Sequence, residues 1–140
     1  MLIAILISVV LSGTCGLLHY AIMATVHGQL VTRTWPRGAK LVACLYTAGL
    51  AHAVEAGLYA GGFLLGQRLG IGGFRKEGPM SIMDTFYFSM VNFTSLGLGS
   101  VYPIGHLRLV AVVESLNGFL LITCSASFIY LLMSARDEVG

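Results

Sequence analysis

Five consecutive residues, Ser95-Leu96-Gly97-Leu98-Gly99, carry one hydroxyl, two leucines and two glycines. Their usable chemistry lies in the backbone. A row of carbonyl oxygens can replace the water shell of a dehydrated cation. Successive carbonyls can face one direction only where every second residue takes a conformation that suits glycine. The strip follows an apolar helical pattern over 84–94, which at 1.5 Å per residue spans roughly 16 Å, about half the ~30 Å hydrocarbon core of a bilayer. Backbone that turns irregular at membrane depth is tolerated only where it lines a cavity inside protein. For Gly97 and Gly99 taken alone, a turn between two apolar helices is an equally open reading.

The surrounding residues extend the pattern. Thr94-Ser95-Leu96-Gly97-Leu98-Gly99-Ser100 resembles the T-T-V-G-Y-G-D filter of the tetrameric P-loop potassium channels, and Val101-Tyr102-Pro103 resembles the L-Y-P that often follows it. The resemblance continues through Arg108 to Val113 into Asn117-Gly118, where that family carries a hinge glycine, and covers about residues 41–133. It extends to small bacterial channels with an additional helix ahead of the pore unit. The resemblance implies potassium ions held by Ser95, Leu96, Gly97, Leu98 and Gly99, with Ser95 giving a hydroxyl at the inner end. Several positions depart from the pattern: Leu98 stands for Tyr, Ser100 for Asp, Val91 for a carboxylate found in some channels, and Tyr87-Phe88 for a Trp pair. The bonds that brace the filter from behind in typical members are therefore missing, and weaker selectivity or readier inactivation is expected.

Ionisable residues inside spanning segments are functional candidates. Glu114 falls at the depth of the strip and can brace it in place of the carboxylate missing at Val91, with Asn92 or Ser89 as partner and Ser100 as further support. A protonated acid bonded to a neighbouring helix is the alternative. His52 and Glu55, three apart on one helical face, can form a mutual hydrogen bond, bond to another helix, gate by protonation or contribute to a metal site, for which two ligands are too few. Gly118 reads either as a gating hinge or as a close-packing contact between helices. Gly57, Gly61 and Gly62 read as points of helix approach.

These residues need apolar elements to place them. With 56% hydrophobic and 10% charged residues, the chain lies far from the roughly 25% charge of globular domains and reads as an integral membrane protein in contact with lipid. A net charge of +2, without a basic run, argues against nucleic acid. Cys15, Cys44 and Cys124 each sit in an apolar segment without CxxC or Cys/His spacing, which suits buried packing residues rather than a disulfide framework or zinc site. The N-terminus lacks a positive n-region and reads as a retained helix, not a signal peptide.

Residues 2–26 are long enough to span, with His19 and His27 interrupting. A basic loop over 28–40 follows, cytoplasmic by the positive-inside rule. Residues 41–66 form the second span. The Gly-rich stretch 67–80 is polar, and Ser81 with Asp84 fits a capping box ahead of the short helix. Residues 107–133 form the third span and 134–138 a polar tail, with no ligand-binding domain expected beyond it.

The expected architecture is an all-α membrane protein: three transmembrane helices with a re-entrant pore helix and filter loop between the second and third. Residues 1–40 form an N-terminal unit and 41–140 the pore domain. One loop supplies one wall of an ion path, so four copies around an axis, a homotetramer, are expected. The expected function is a passive potassium channel of the bacterial plasma membrane, with a cytoplasmic C-terminus. No enzyme activity and no organic cofactor are expected. Leu116, Phe119, Leu120 and Thr123 are candidates to line the cavity below the filter, and the first helix packs at the tetramer's edge or serves a partner. The alternatives are a nonselective cation channel of the same fold, suggested by Leu98 and Ser100, a non-conducting subunit of another channel, and a haem-binding anchor with His19 and His52 as axial ligands.

Overall fold

A computed structural model gives the fold and describes residues 1–97 and 99–134. Helices α1 (Leu2–Thr32) and α2 (Arg37–Arg68) are followed by strand β1 (Gly72–Arg75), helix α3 (Ile82–Phe93), strand β2 (Tyr102–Gly105) and helix α4 (Leu107–Ser134). At 1.5 Å per residue the three long helices run about 42–48 Å and α3 about 18 Å. By length and composition α1, α2 and α4 can each cross a membrane, and the protein is a membrane protein.

The connection between α1 and α2 is shorter than the 28–40 loop expected from sequence. Only residues 33–36 leave the helical state. Gly28 and Gln29 continue α1 because no proline or capping residue stops them. Pro36, with φ −61° and ψ 150°, instead sets the extended turn from which Arg37 starts α2. The Arg33 guanidinium lies 4.9 Å over the Trp35 ring. The boundary expected at residue 40 falls inside the first turn of α2.

Helix α3 begins where its sequence asks it to. The Ser81 hydroxyl accepts from Asp84 N–H at 3.1 Å, and the Asp84 carboxylate accepts from Ser81 N–H at 2.8 Å, which satisfies two of the donors orphaned at a helix start.

The fold is not wholly helical. Strand β1 pairs antiparallel with β2, Gly72 opposite Gly105 and Arg75 opposite Tyr102. Glycine is needed at this crossing: Gly105 has φ +64°, and a Cβ there would lie 2.9 Å from the Gly72 Cα. Pro103, which has no N–H to give, is accommodated because a two-stranded ribbon is all edge.

Helix α1 packs on α2 and α4, α2 packs on α3 and α4, and α3 packs on α4. The core between them is aromatic and small: Tyr59, Phe63, Phe93, Leu107 and Val110 are buried, with Ala4 and Cys15 facing in from α1. Phe63, Phe74 and Phe88 meet edge to face with centroids 5.0–5.4 Å apart, joining α2, β1 and α3. Of the three glycines expected at helix approaches, Gly62 meets Leu11 of α1, Gly57 has ordinary contact with Phe86, and nothing lies near Gly61. Cys15 and Cys44 are buried, whereas Cys124 faces outward on α4, so the buried role holds for two of the three.

Candidate functional site

The last turn of α3 dictates the geometry of the strip beyond it. The Ser95 N–H donates to the Asn92 carbonyl at 3.0 Å and the Leu96 N–H to the Val91 carbonyl at 3.1 Å. Ser95 has φ +58°. Together these make a Schellman motif with Ser95 in the left-handed position that glycine usually fills. Gly97 is left-handed too, at φ +65°, in open space. Left-handed backbone therefore recurs at two positions two residues apart, one of them not a glycine. At Gly99 a Cβ would lie 2.6 Å from the Tyr102 phenolic oxygen, the tip of an exposed side chain that can step aside. Leu98 lies outside the described residues.

The side chains around this strip divide into two sets. The Ser95 hydroxyl is 3.1 Å from that of Ser115 on α4, so this hydroxyl is turned to the neighbouring helix. Leu96 is 70% exposed, and Gly97, Gly99 and Ser100 are exposed with it. Ser100 borders a hollow with Arg75, Lys76 and Glu77. An open groove runs past Ser95 and Ser115 to Leu116 and Phe119, and Leu116, Phe119 and Leu120 are each more than half exposed. Thr123 continues this exposed side and bonds back to the Phe119 carbonyl at 2.8 Å.

Behind the strip, Glu114 is fully buried. Both partners considered from sequence are present: the Ser89 hydroxyl meets Glu114 Oε1, and Asn92 Nδ2 donates to Oε2 at 2.6 Å. Asn92 uses its other N–H on the Ala111 carbonyl at 2.8 Å, and Ser89 also reaches the Ala56 carbonyl at 2.6 Å. One polar cluster thus joins α2, α3 and α4. Ser115 and the carbonyls of Ala56 and Ala111 were not legible as partners, because backbone acceptors have no sequence signature and a serine after Glu114 is unremarkable.

Gly118 touches the end of α3. A Cβ there would overlap the Phe93 carbonyl, the close approach that small residues permit between membrane helices. At the other end of α3, Lys76 Nζ donates to Asp84 Oδ1 at 2.6 Å. That bond, with those from Ser81, holds the Asp84 carboxyl down at about 2.

A second polar cluster sits between α1, α2 and α4. Glu55 bonds His52 on its own helix, as the spacing suggested, and also His19, each through Nδ1 at 2.9 Å. The two imidazoles stack with centroids 5.3 Å apart and planes 17° from parallel. Rings stacked this way do not present nitrogens to opposite faces of a porphyrin, so the axial-ligand reading of His19 and His52 fails on geometry.

Residues 40–134 match the model of a family described as an ion channel. No curated protein and no solved structure matches the chain. The matched residues hold α3, the strip, Glu114 and Gly118, and leave α1 outside. The chain belongs to this family, ion channels of the potassium-channel type.

Proposed function

We propose that four copies of the chain assemble around one axis into a passive, potassium-conducting pore, with α3 as the re-entrant pore helix and residues 95–99 as the selectivity filter. One observation carries the reading. A helix of 12 residues, too short to span, is pinned by Ser89 and Asn92 to the buried Glu114 and ends in a strip whose described residues stay exposed. The open groove past Ser95 and Ser115 to Leu116 and Phe119 adjoins that strip, and in an assembly of copies around an axis it would face the centre. Potassium ions would bind carbonyls of Ser95, Leu96, Gly97 and Leu98, with Gly99 closing the row. Glu114, Asn92 and Ser100 would support it.

The pore domain would be residues 41–140, embedded in lipid and carrying residues 1–40 as an outer element, in a plasma membrane with the C-terminus on the cytoplasmic side. The Schellman cap at Ser95 favours a second reading within the same fold, a nonselective cation channel. It draws the Ser95 and Leu96 amides into the end of α3, and the bonds of Glu114 reach the strip only through that helix.

Purified protein in liposomes, compared for potassium and sodium flux with barium as blocker, tests both readings. Barium-sensitive flux favouring potassium supports the first, and equal flux of the two cations supports the second. Protein that stays monomeric in lipid and passes neither ion refutes both.

A further inference from the structure

The cluster around Glu55 takes no part in the proposed ion path. Glu55 is fully buried and His19 nearly so, while His52 keeps 14% exposure. Both carboxylate oxygens are used, one on each imidazole Nδ1, and both Nε2 atoms point to a single hydroxyl, Ser125 Oγ on α4, at 3.2 Å each. We propose that His19, His52 and Glu55 form a binding site for one divalent transition-metal cation of the zinc class per chain, with Ser125 orienting the two imidazoles.

The placement of hydrogens in the cluster favours a cation. A serine hydroxyl has two lone pairs and one proton. If both rings carry their hydrogen on Nε2, Ser125 accepts from both, and each 3.2 Å contact is a normal hydrogen bond. Both Nδ1 lone pairs then face the Glu55 carboxylate, and three acceptors converge with nothing between them. A cation at that point satisfies all three. The opposite tautomer, with hydrogen on both Nδ1 atoms, serves Glu55 but leaves two Nε2 acceptors to share the one proton of Ser125. Unless the cluster takes up one further proton, on a ring or on Glu55 with one ring in the other tautomer, a buried acceptor goes unpaired, which is costly.

The dimensions agree. One candidate ligand atom from each residue can be chosen so that all lie within 4.8 Å of one another. Zinc bonds of about 2.0–2.2 Å in tetrahedral geometry put ligand atoms roughly 3.3 Å apart. The present 2.9 Å contacts would open by a few tenths of an ångström, while the widest ligand pair, at up to 4.8 Å, would close by about 1.5 Å. Two imidazoles and a carboxylate suit zinc, cobalt or nickel better than the oxygen-seeking magnesium or calcium. A ligating histidine whose other ring nitrogen is held by an oriented acceptor is the usual arrangement around such ions. Among the described residues no other group of three histidine, cysteine or acidic side chains converges this way. Of the three, His52 is the least enclosed, at 14% exposure. Once bound, the ion ties α1 directly to α2, and through Ser125 to α4.

The test is metal binding by the untagged full chain, stripped with chelator and held in lipid nanodiscs. Cobalt(II) alone is titrated and its visible absorption read, then zinc is added as competitor. The expected result is one cobalt per chain with the intense bands of low-coordinate cobalt, displaced by one zinc. Glu55→Gln and His19→Gln weaken binding tenfold or more, and Ser125→Ala weakens it about tenfold. His27→Gln and His106→Gln leave it unchanged. Each variant is first melted without metal to establish that it folds, and zinc raises the melting temperature of the wild type but not of Glu55→Gln. Should Glu55→Gln fail to fold, His52→Gln at the least enclosed ligand carries the same expectation. Folded wild type that binds no stoichiometric cobalt or zinc overturns the proposal, as does a folded Glu55→Gln or His52→Gln chain that binds with undiminished affinity. Because the readout is binding, neither result depends on whether the chain conducts.

Discussion

Gly118 of α4 lies against the carbonyl of Phe93, the last residue of α3, so closely that a Cβ at position 118 would overlap it. A hinge and a packing contact make different demands on this glycine. A hinge tolerates alanine at the cost of altered opening, whereas a contact with backbone does not tolerate it, since a carbonyl in a capped helix end cannot step aside as a side-chain tip can. Gly118→Ala is therefore expected to destabilise the fold by about 1–3 kcal/mol, the usual cost of overpacking, read as a fall in melting temperature of the purified protein. A variant of unchanged stability with altered open probability would restore the hinge.

Glu114 and Ser89 together fix a proton. The Ser89 hydroxyl meets both the Ala56 carbonyl and Glu114 Oε1, and with one hydrogen it can donate to only one of them. Both contacts are satisfied if the carboxyl is protonated and donates to Ser89, while Asn92 donates to the other oxygen. Glutamine reproduces that pattern, N–H₂ toward Ser89 and carbonyl toward Asn92. Glu114→Gln is expected to melt within about 1 kcal/mol of wild type. Glu114→Ala leaves Asn92 and Ser89 short of partners in a buried site and should cost about 1–3 kcal/mol for each group stranded. A glutamine variant as damaged as the alanine one would mean the carboxylate is ionised.

Ser95 occupies a left-handed position for which it has no intrinsic liking. Conformation there costs a residue with a Cβ about 1–2 kcal/mol that glycine avoids, while its hydroxyl bond to Ser115 returns roughly 1 kcal/mol. Ser95→Gly removes both and should be close to neutral. Ser95→Ala keeps the strain and loses the bond. The expected order of melting temperatures is wild type about equal to Ser95→Gly, with Ser95→Ala lower. Equal melting of the glycine and alanine variants would contradict a left-handed Ser95.

Features held by local forces are the ones legible in the sequence. The three long helices are legible because apolar runs of that length have few other uses, and the start of α3 because Ser81 and Asp84 cap it within four residues. Glu114 is visible as an anomaly, a carboxyl in an apolar run, and depth alone suggests its partners one helix away. The sequence pairs His19 with His52 only as haem ligands, because joining them through Glu55 and Ser125 takes three helices whose rotations no local pattern records. The β1–β2 ribbon is hidden for a related reason. Strands of four residues with glycine, proline and no alternation carry no signal, and their pairing depends on α2 and α4 bringing residues 72 and 105 together. The left-handed Ser95 is equally hidden, since a serine gives no sign of the conformation that glycine would advertise.

Asp84 offers the one pH dependence that the exposed part of the site supports. Its carboxyl is held at about 2 against an ordinary 3.8 by the Lys76 ammonium first and the Ser81 bonds second. A carboxyl depressed in the folded state contributes stability that is fully present above its unfolded value and is lost as pH falls through the folded one. The window is therefore roughly pH 4 down to 2. In Asp84→Asn the amide keeps part of the cap but neither the charge nor the pairing with Lys76, so its melting temperature should lie below wild type at about pH 6 and the gap should close as pH approaches about 2. High salt should narrow the gap at neutral pH as well, because Lys76 and Asp84 remain partly exposed and such pairs are screened. A gap that stays constant across that window would mean the Asp84 charge contributes nothing to holding the start of α3.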